Sequence, residues 1–277
     1  MHRSGNSSVR VRCALQLILL WLFFLTANFV FAEKRESSKN GANHSDTTLL
    51  TTASEVHALS ADQARLGYPV QIEGVVTYFD PEQHFFFMQD HSDGIFVSGL
   101  QEKTLYAGQK IRVEGTTVPG DFAPSIGKPR VQDLGIGNLP QPEIPSFDAA
   151  MSGKLDSRWV VLEGIVHPTR RDANDHILFD LYTKLGPITV HTPGSTDRSQ
   201  LEEFVDAEVR LSGVLGGLFN QHGQLTGFSL YMNGVRNISV LQAAPIDPFA
   251  HNLHSIGDLL KFSQHNDPNH RVRVRGS

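Results

Sequence analysis

The sequence predicts an all-β chain built from small closed barrels in tandem, with short helices in the connections. Three observations predict it. Short alternating runs dominate, while long apolar helical stripes are scarce and Gly and Pro are plentiful (24 and 14 residues). One figure recurs: apolar residues two and four positions ahead of a glycine. Between recurrences lie hairpin signals and a short helix candidate, in an order that repeats.

The figure opens each unit. It reads Val70, Ile72, Gly74 in "PVQIEGVVTYF" and Val160, Leu162, Gly164 in "WVVLEGIVHPT". It returns as Val272, Val274, Gly276 in "RVRVRGS". A second copy follows within each full unit: Ile111, Val113, Gly115 in "KIRVEGTTV" and Val209, Leu211, Gly213 in "EVRLSGVLG". Period-two alternation marks strands with one buried face. The glycine marks a bend or a close backbone approach, which a small closed barrel needs.

In the first unit "HFFFMQD" and "GIFVSGL" follow, joined by "HSDG", and "KPRVQDLGIG" supplies a fifth strand. In the second unit "HILFDLYT" and "PITVHTP" are the hairpin, and "STDRSQLEEFVDA" is the helix candidate before the fourth strand. "GVRNISVL" is the expected fifth strand, and the glycine-rich "GVLGGLFNQHGQLTG" is read as a loop between strands four and five. It lacks the lysine and hydroxyl of a phosphate-binding loop. Strand, hairpin, optional helix, glycine strand, loop and strand is the plan of the OB-fold barrel. An SH3-like barrel or small sandwich is the alternative.

The boundaries follow. Residues 1–32 carry a basic start (His2, Arg3, Arg10, Arg12), then an uncharged apolar run from Cys13 to Ala32. That is the pattern of a cleaved export signal, or of an uncleaved anchor. Both put the body outside the cytoplasm, in a periplasmic or other extracytoplasmic space. Residues 33–52 read as a polar linker, 53–145 as the first barrel and 146–245 as the second. "SEVHALSADQARLGY" is a helical lead-in, with Ser60 as an N-cap. Residues 246–277 read as a linker helix and the first strand of an incomplete third module. The segment from Arg271 to Gly276 is thus also a candidate for pairing with another strand edge.

The stretches "VHALSADQARLGYPVQIEGVVTYFDPEQHFFFMQD", "GIFV", "VEGTTVPGDFAPSI" and "HRVRVRG" resemble the extracytoplasmic N-terminal region of certain bacterial membrane-bound sensor histidine kinases. The likeness spans about residues 53–276. It implies the sensory input region of a two-component system, standing before a membrane span and a kinase. Neither a phosphoacceptor helix nor a nucleotide-binding glycine motif occurs in the sequence, so a fragment of such a sensor is the expectation.

Chemistry is sparse. Cys13 is the one cysteine, which leaves the body without disulfide, thiolate zinc site or Cys nucleophile. No Ser elbow stands out. Glu73, Glu114 and Glu163 fall on the outward phase of their strands, as a solvated face. "HNLH" (His251, His254) has ligand-like spacing but no third ligand, and His84 and His91 read as solvent-facing strand ends. No enzyme, metal or cofactor is expected.

A binding role fits better. OB barrels bind on the strand two–three face and on the one–two and four–five loops. Those places hold Tyr78, Phe79, Asp80, His84 and Phe86, then Asp121 and Phe122, then Phe219, Asn220 and Gln221. Partners of that chemistry are a small molecule, an oligosaccharide or a protein. Nucleic acid is disfavoured, because the net charge is -5 and no Lys/Arg cluster lies near these residues. Within "HFFFMQD" half the side chains must point inward by alternation, so at most half can meet a ligand.

Overall fold

The computed structural model describes residues 48–99, 104–120, 122–174, 176–220, 224–247, 253–254 and 273–274. The segment read as an export signal, most of the stretch read as a linker, Asp121, Gln221, His251 and most of residues 246–277 lie outside the described residues.

Two five-stranded barrels follow one another. The first consists of β1 (Pro69–Asp80), β2 (Phe85–Gln89), β3 (Gly94–Ser98), β4 (Gln109–Val118) and β5 (Ser125–Ile136). They close in the order β1-β2-β3-β5-β4, with β4 returning to β1. Only β3 and β5 run parallel; the other neighbours are antiparallel. This is the OB ring that the repeat predicts.

The recurring glycine has its expected use. β1 pairs with β4 up to Val75 and with β2 from Val75 onward. Gly74 stands at that handover, and a Cβ there would meet the Gln89 carbonyl oxygen at 2.7 Å. Gly164 does the same in the second barrel, where a Cβ would come 2.4 Å from the Tyr182 oxygen. A side chain at either place keeps the two backbones apart and opens the ring. The apolar partners of the figure point inward: Ile72, Phe86, Met88, Ile95, Ile111 and Ile126 are fully buried in the first barrel.

Short helices plug the open ends. α1 (Ala53–His57) and α2 (Ala61–Ala64) precede β1, and both begin with capping boxes, from Thr52 to Glu55 and from Ser60 to Gln63. They bury Ala53, Val56 and Ala64. α3 (Phe147–Met151) precedes the second barrel, and α4 (Arg198–Glu202) sits where the helix candidate stands, with Leu201 buried.

The second barrel contains β6 (Trp159–Val166), the short β7 (Arg170–Arg171), β8 (Ile177–Thr183), β9 (Gly186–His191), β10 (Glu208–Phe219), β11 (Leu225–Tyr231) and β12 (Ile238–Gln242). Its pairings make the same ring, β6-β8-β9-β11-β10 and back to β6, again with one parallel contact, β9 to β11. One expectation is corrected here. The glycine-rich stretch read as a loop is the second half of β10 and the start of β11, which pair as a hairpin. The strand read as the fifth, β12, pairs only with the start of β10. So β11 and β12 divide the length of β10 between them, where in the first barrel the single strand β5 runs along β4, and a 3-10 turn at Val235–Asn237 separates the two.

Each barrel also takes a parallel contact from the segment before it: Leu50 bridges Val70, and Glu143 bridges Val160. Residues 253–254 and 273–274 form a further pair of the same sense, β13 (Leu253–His254) with β14 (Arg273–Val274). Among the described residues no helix is long and apolar enough to cross a membrane.

Candidate ligand-binding cleft

The outward half of "HFFFMQD" packs one barrel on the other. Phe86 and Met88 enter the first core, so Phe85 and Phe87 face out. They join Tyr78, Trp159 and Val214 in a buried cluster, with Phe96 and Tyr231 packed against it. The rings meet at 5–6 Å: Phe87 lies 5.1 Å from Tyr231 and 5.3 Å from Phe96, at tilted or edge geometry. Polar contacts cross the same seam. The Trp159 amide donates to Gln89 Oε1 at 2.9 Å, and Asn233 Nδ2 donates to the Thr77 carbonyl at 2.6 Å.

Beside this cluster the barrels part and leave a cavity of about 480 Å³. Its aromatic wall is Phe85, Phe87, Phe96 and Tyr231. Its lip is one ring from each barrel. Phe122, in the loop between β4 and β5, stacks on Phe219, at the end of β10, with centroids 3.9 Å apart and planes within 6°. Behind Phe122 lies Gly153, in left-handed conformation (φ 75°) and too close to the ring to carry a Cβ. A second cavity of about 390 Å³, lined by His57, Asp93, Lys154 and Asp156, shares Phe122 as a wall.

Asp156 supplies the polar end. Its Oδ1 accepts from the Gly217 amide at 2.7 Å and its Oδ2 from the Ser157 hydroxyl at 3.1 Å. Burial pushes its carboxyl above the ordinary range, and the two donors offset only part of that. Ser157 is held in left-handed backbone (φ 64°) while its amide donates to the Leu215 carbonyl at 2.7 Å. A Cβ on Gly94 would fall 1.9 Å from the Ser157 oxygen, so only glycine lets β3 pass under that turn. A strained residue braced on both sides at the floor of a cleft is a common mark of a functional position.

The structure sorts the residues that the sequence singled out. It brings Phe122 and Phe219 together, from loops 97 positions apart (219 minus 122). Asn220, next to Phe219, is tied to Gln224 by its backbone amide and by two side-chain hydrogen bonds. His84 is exposed at the turn before β2. Four others are taken out of a ligand's reach. Phe79 and Phe86 fill the first core, because alternation turns them inward. Tyr78 and Asp80 are buried at the seam, with the Tyr78 hydroxyl donating to Asp80 Oδ2 at 3.3 Å. Sequence reading missed Asp156, Tyr231 and Phe96. Only Phe96 carried a signal there, as the outward phase of "GIFVS". Among the described residues no group of His, Cys, Asp and Glu is placed to hold a metal.

No protein-family model matches the chain, and no curated protein matches it. Solved structures share parts of it. An asparaginyl-tRNA synthetase from Pyrococcus horikoshii is 19% identical over 34% of this chain and 22% of that one, with a TM-score of 0.26. An OBody bound to hen egg-white lysozyme is 17% identical over 38% of this chain and 100% of that one, with a TM-score of 0.28. An aspartyl tRNA synthetase from Entamoeba histolytica is 11% identical over 43% of this chain and 24% of that one, with a TM-score of 0.30. The chain thus spans less than a quarter of the length of these two synthetases.

Proposed function

We propose that this chain is an exported, non-catalytic ligand-binding ectodomain, that its ligand sits in the cleft between the two barrels, and that it is the input region of a sensor histidine kinase. The observation that carries the binding reading is the Phe122–Phe219 pair. One ring from each barrel closes an aromatic cavity that holds a half-buried carboxyl, that of Asp156. A ligand seated there touches both barrels, so its arrival changes how they are held together. That is what an input region must do.

The lining selects the ligand's chemistry. Flat apolar walls with Asp156, Gln83, Ser98 and Ser125 suit a ring-bearing, hydroxylated and uncharged molecule, such as a sugar of an oligosaccharide. Among the described residues of that lining there is no Lys or Arg to give a polyanion a counter-charge. The sensor assignment rests on the sequence resemblance and the export pattern. The parallel pairing of β13 with β14 supports a third module, because it repeats the offset of Leu50 and Val70: 70 minus 50 and 273 minus 253 are both 20.

The test is a thermal-shift and calorimetric screen of neutral oligosaccharides against single-stranded DNA. Binding of a neutral sugar is expected, and Phe219→Ala should weaken it about tenfold, the scale of one lost stacking partner. Binding of DNA but no sugar, or full affinity in Phe219→Ala, overturns the reading. Sequencing onward from the Ser277 codon tests the sensor assignment: an open frame into a membrane span and a kinase is expected, and unrelated sequence after a stop codon defeats it.

A further inference from the structure

Behind the aromatic wall lies a second cluster, of charge. His176, just before β8 in the second barrel, is 2% exposed, and Asp80, at the end of β1 in the first, is 1% exposed. His176 Nε2 lies 3.2 Å from Asp80 Oδ2 and 3.3 Å from Glu82 Oε2. Its Nδ1 lies 3.6 Å from Asp172 Oδ1. Neither ring nitrogen makes a hydrogen bond, so the contact is one of charge.

A neutral imidazole has one N–H edge and one lone-pair edge. With carboxylates on both edges, either tautomer turns a lone pair toward an anion. Only the doubly protonated ring presents positive charge to both. We propose that His176 is a proton-operated clasp: charged, it holds Asp80 and Glu82 of the first barrel to the second, and deprotonated, it releases them and lets the cleft open.

The surroundings support that sense. Burial pushes the Tyr78 hydroxyl upward, so it stays protonated and keeps donating to Asp80. Burial holds the Asp172 carboxyl up, but amides of His176 and Asn174 outweigh it and leave the carboxyl below its ordinary range, as an anion. Burial depresses His191, on β9, which disfavours positive charge on that ring. Arg170, on β7, is committed to Asp180. Tyr231, on β11, is likewise pushed up by burial and stays neutral. His176 is the group that stands between Asp80 and Glu82 of the first barrel and Asp172 of the second, and without its proton these carboxylates face one another and repel. The link to the ligand site is direct. Tyr231 stacks on His191 and meets Tyr78 edge-on at 5.3 Å, and it also lines the cleft. The clasp's effect on ligand binding rests on the cleft being the ligand site.

Trp159 reports on the seam, where it is 3% exposed. The chain has two tryptophans, so Trp21→Phe in the full chain leaves Trp159 alone. Quenching of its emission by acrylamide is measured across pH 5 to 8.5, roughly the span in which histidine changes charge. The expected result is a rise of about twofold with pH, as the buried seam opens to solvent. His176→Asn should give a flat trace at the high value, and His191→Asn should keep the rise. A flat wild-type trace, or a rise that survives in His176→Asn, overturns the clasp. Should His176→Asn fail to fold, Asp80→Asn takes its place: it should blunt the rise, and an undiminished rise overturns the clasp. Oligosaccharide binding at both ends of the range separates the two readings. A pH-dependent seam that binds no sugar defeats the ligand site and keeps the clasp. Equal sugar affinity at both ends with flat quenching defeats the clasp and keeps the ligand site.

Discussion

Asp156 and His191 are two half-buried ionisable groups whose desolvation acts in opposite senses on the pH axis. The Asp156 carboxyl is raised. Its favourable contribution is full below the ordinary carboxylate range and is lost as pH rises through the raised value. His191 is depressed. Its contribution is full above the ordinary imidazole range and is lost as pH falls through the lowered value. Urea midpoints taken against pH should separate them. Asp156→Asn, which keeps an oxygen for the Gly217 amide, should remove the loss on the rising side and be at least as stable as wild type at neutral pH. His191→Phe should flatten the loss on the acid side. The glycines are a sharper residue-scale test. Gly164→Ala puts a methyl 2.4 Å from a backbone oxygen, which no rotamer relieves. A loss of about 1–3 kcal/mol is expected in denaturant unfolding.

At the scale of elements, the strands with a buried phase were legible and the glycine-rich one was not. "PVQIEG", "KIRVEG", "WVVLEG" and "EVRLSG" showed alternation and a bend together, and each is a strand. Ser60 was legible as a cap because a hydroxyl stands three residues before Gln63. The end of β10 and the start of β11 failed because Gly216 and Gly217 read as loop. Their real reason is coverage: the Tyr231 ring lies over Gly216 and the Phe219 ring over Gly217, at 2.8 and 2.5 Å from where a Cβ would stand. A glycine under an aromatic ring and a glycine in a turn are spelled alike. Gly216→Val tests the difference. The obstacle is a side chain that can tilt away, so the hairpin should still form, with its melting temperature lowered by a few degrees at most (~1 kcal/mol). The displaced Tyr231 ring should fill the cleft and abolish sugar binding in the same calorimetric screen.

At the scale of the whole molecule, the tandem plan was readable and the seam was not. A repeat announces two barrels, yet nothing in "FFFM" says whether its outward rings meet water or another barrel. The candidate site inherits that blindness. Phe122 and Phe219 were found because loop position marks them, whereas Asp156 lies in a linker whose role only the packing of two barrels defines. The shared cluster has an energetic consequence. Trp159→Ala removes a buried ring from it and should cost about 3–5 kcal/mol. Far-ultraviolet and near-ultraviolet signals of the wild type should unfold together in urea, because neither barrel can leave the seam without exposing Phe85, Phe87 and Val214.

The parallel bridges of Leu50 to Val70 and of Glu143 to Val160 bear on ancestry and on grafting. A barrel whose first strand is flanked by residues lying 17 to 20 positions upstream (160 minus 143, 70 minus 50) is not a unit that starts at that strand. A duplication that yields two such barrels copies the lead-in as well, with its junctions ahead of Leu50 and Glu143. A barrel transplanted into a foreign host should carry the same upstream stretch, since a splice made at Pro69 or Trp159 leaves bare a backbone edge that the parent never exposed.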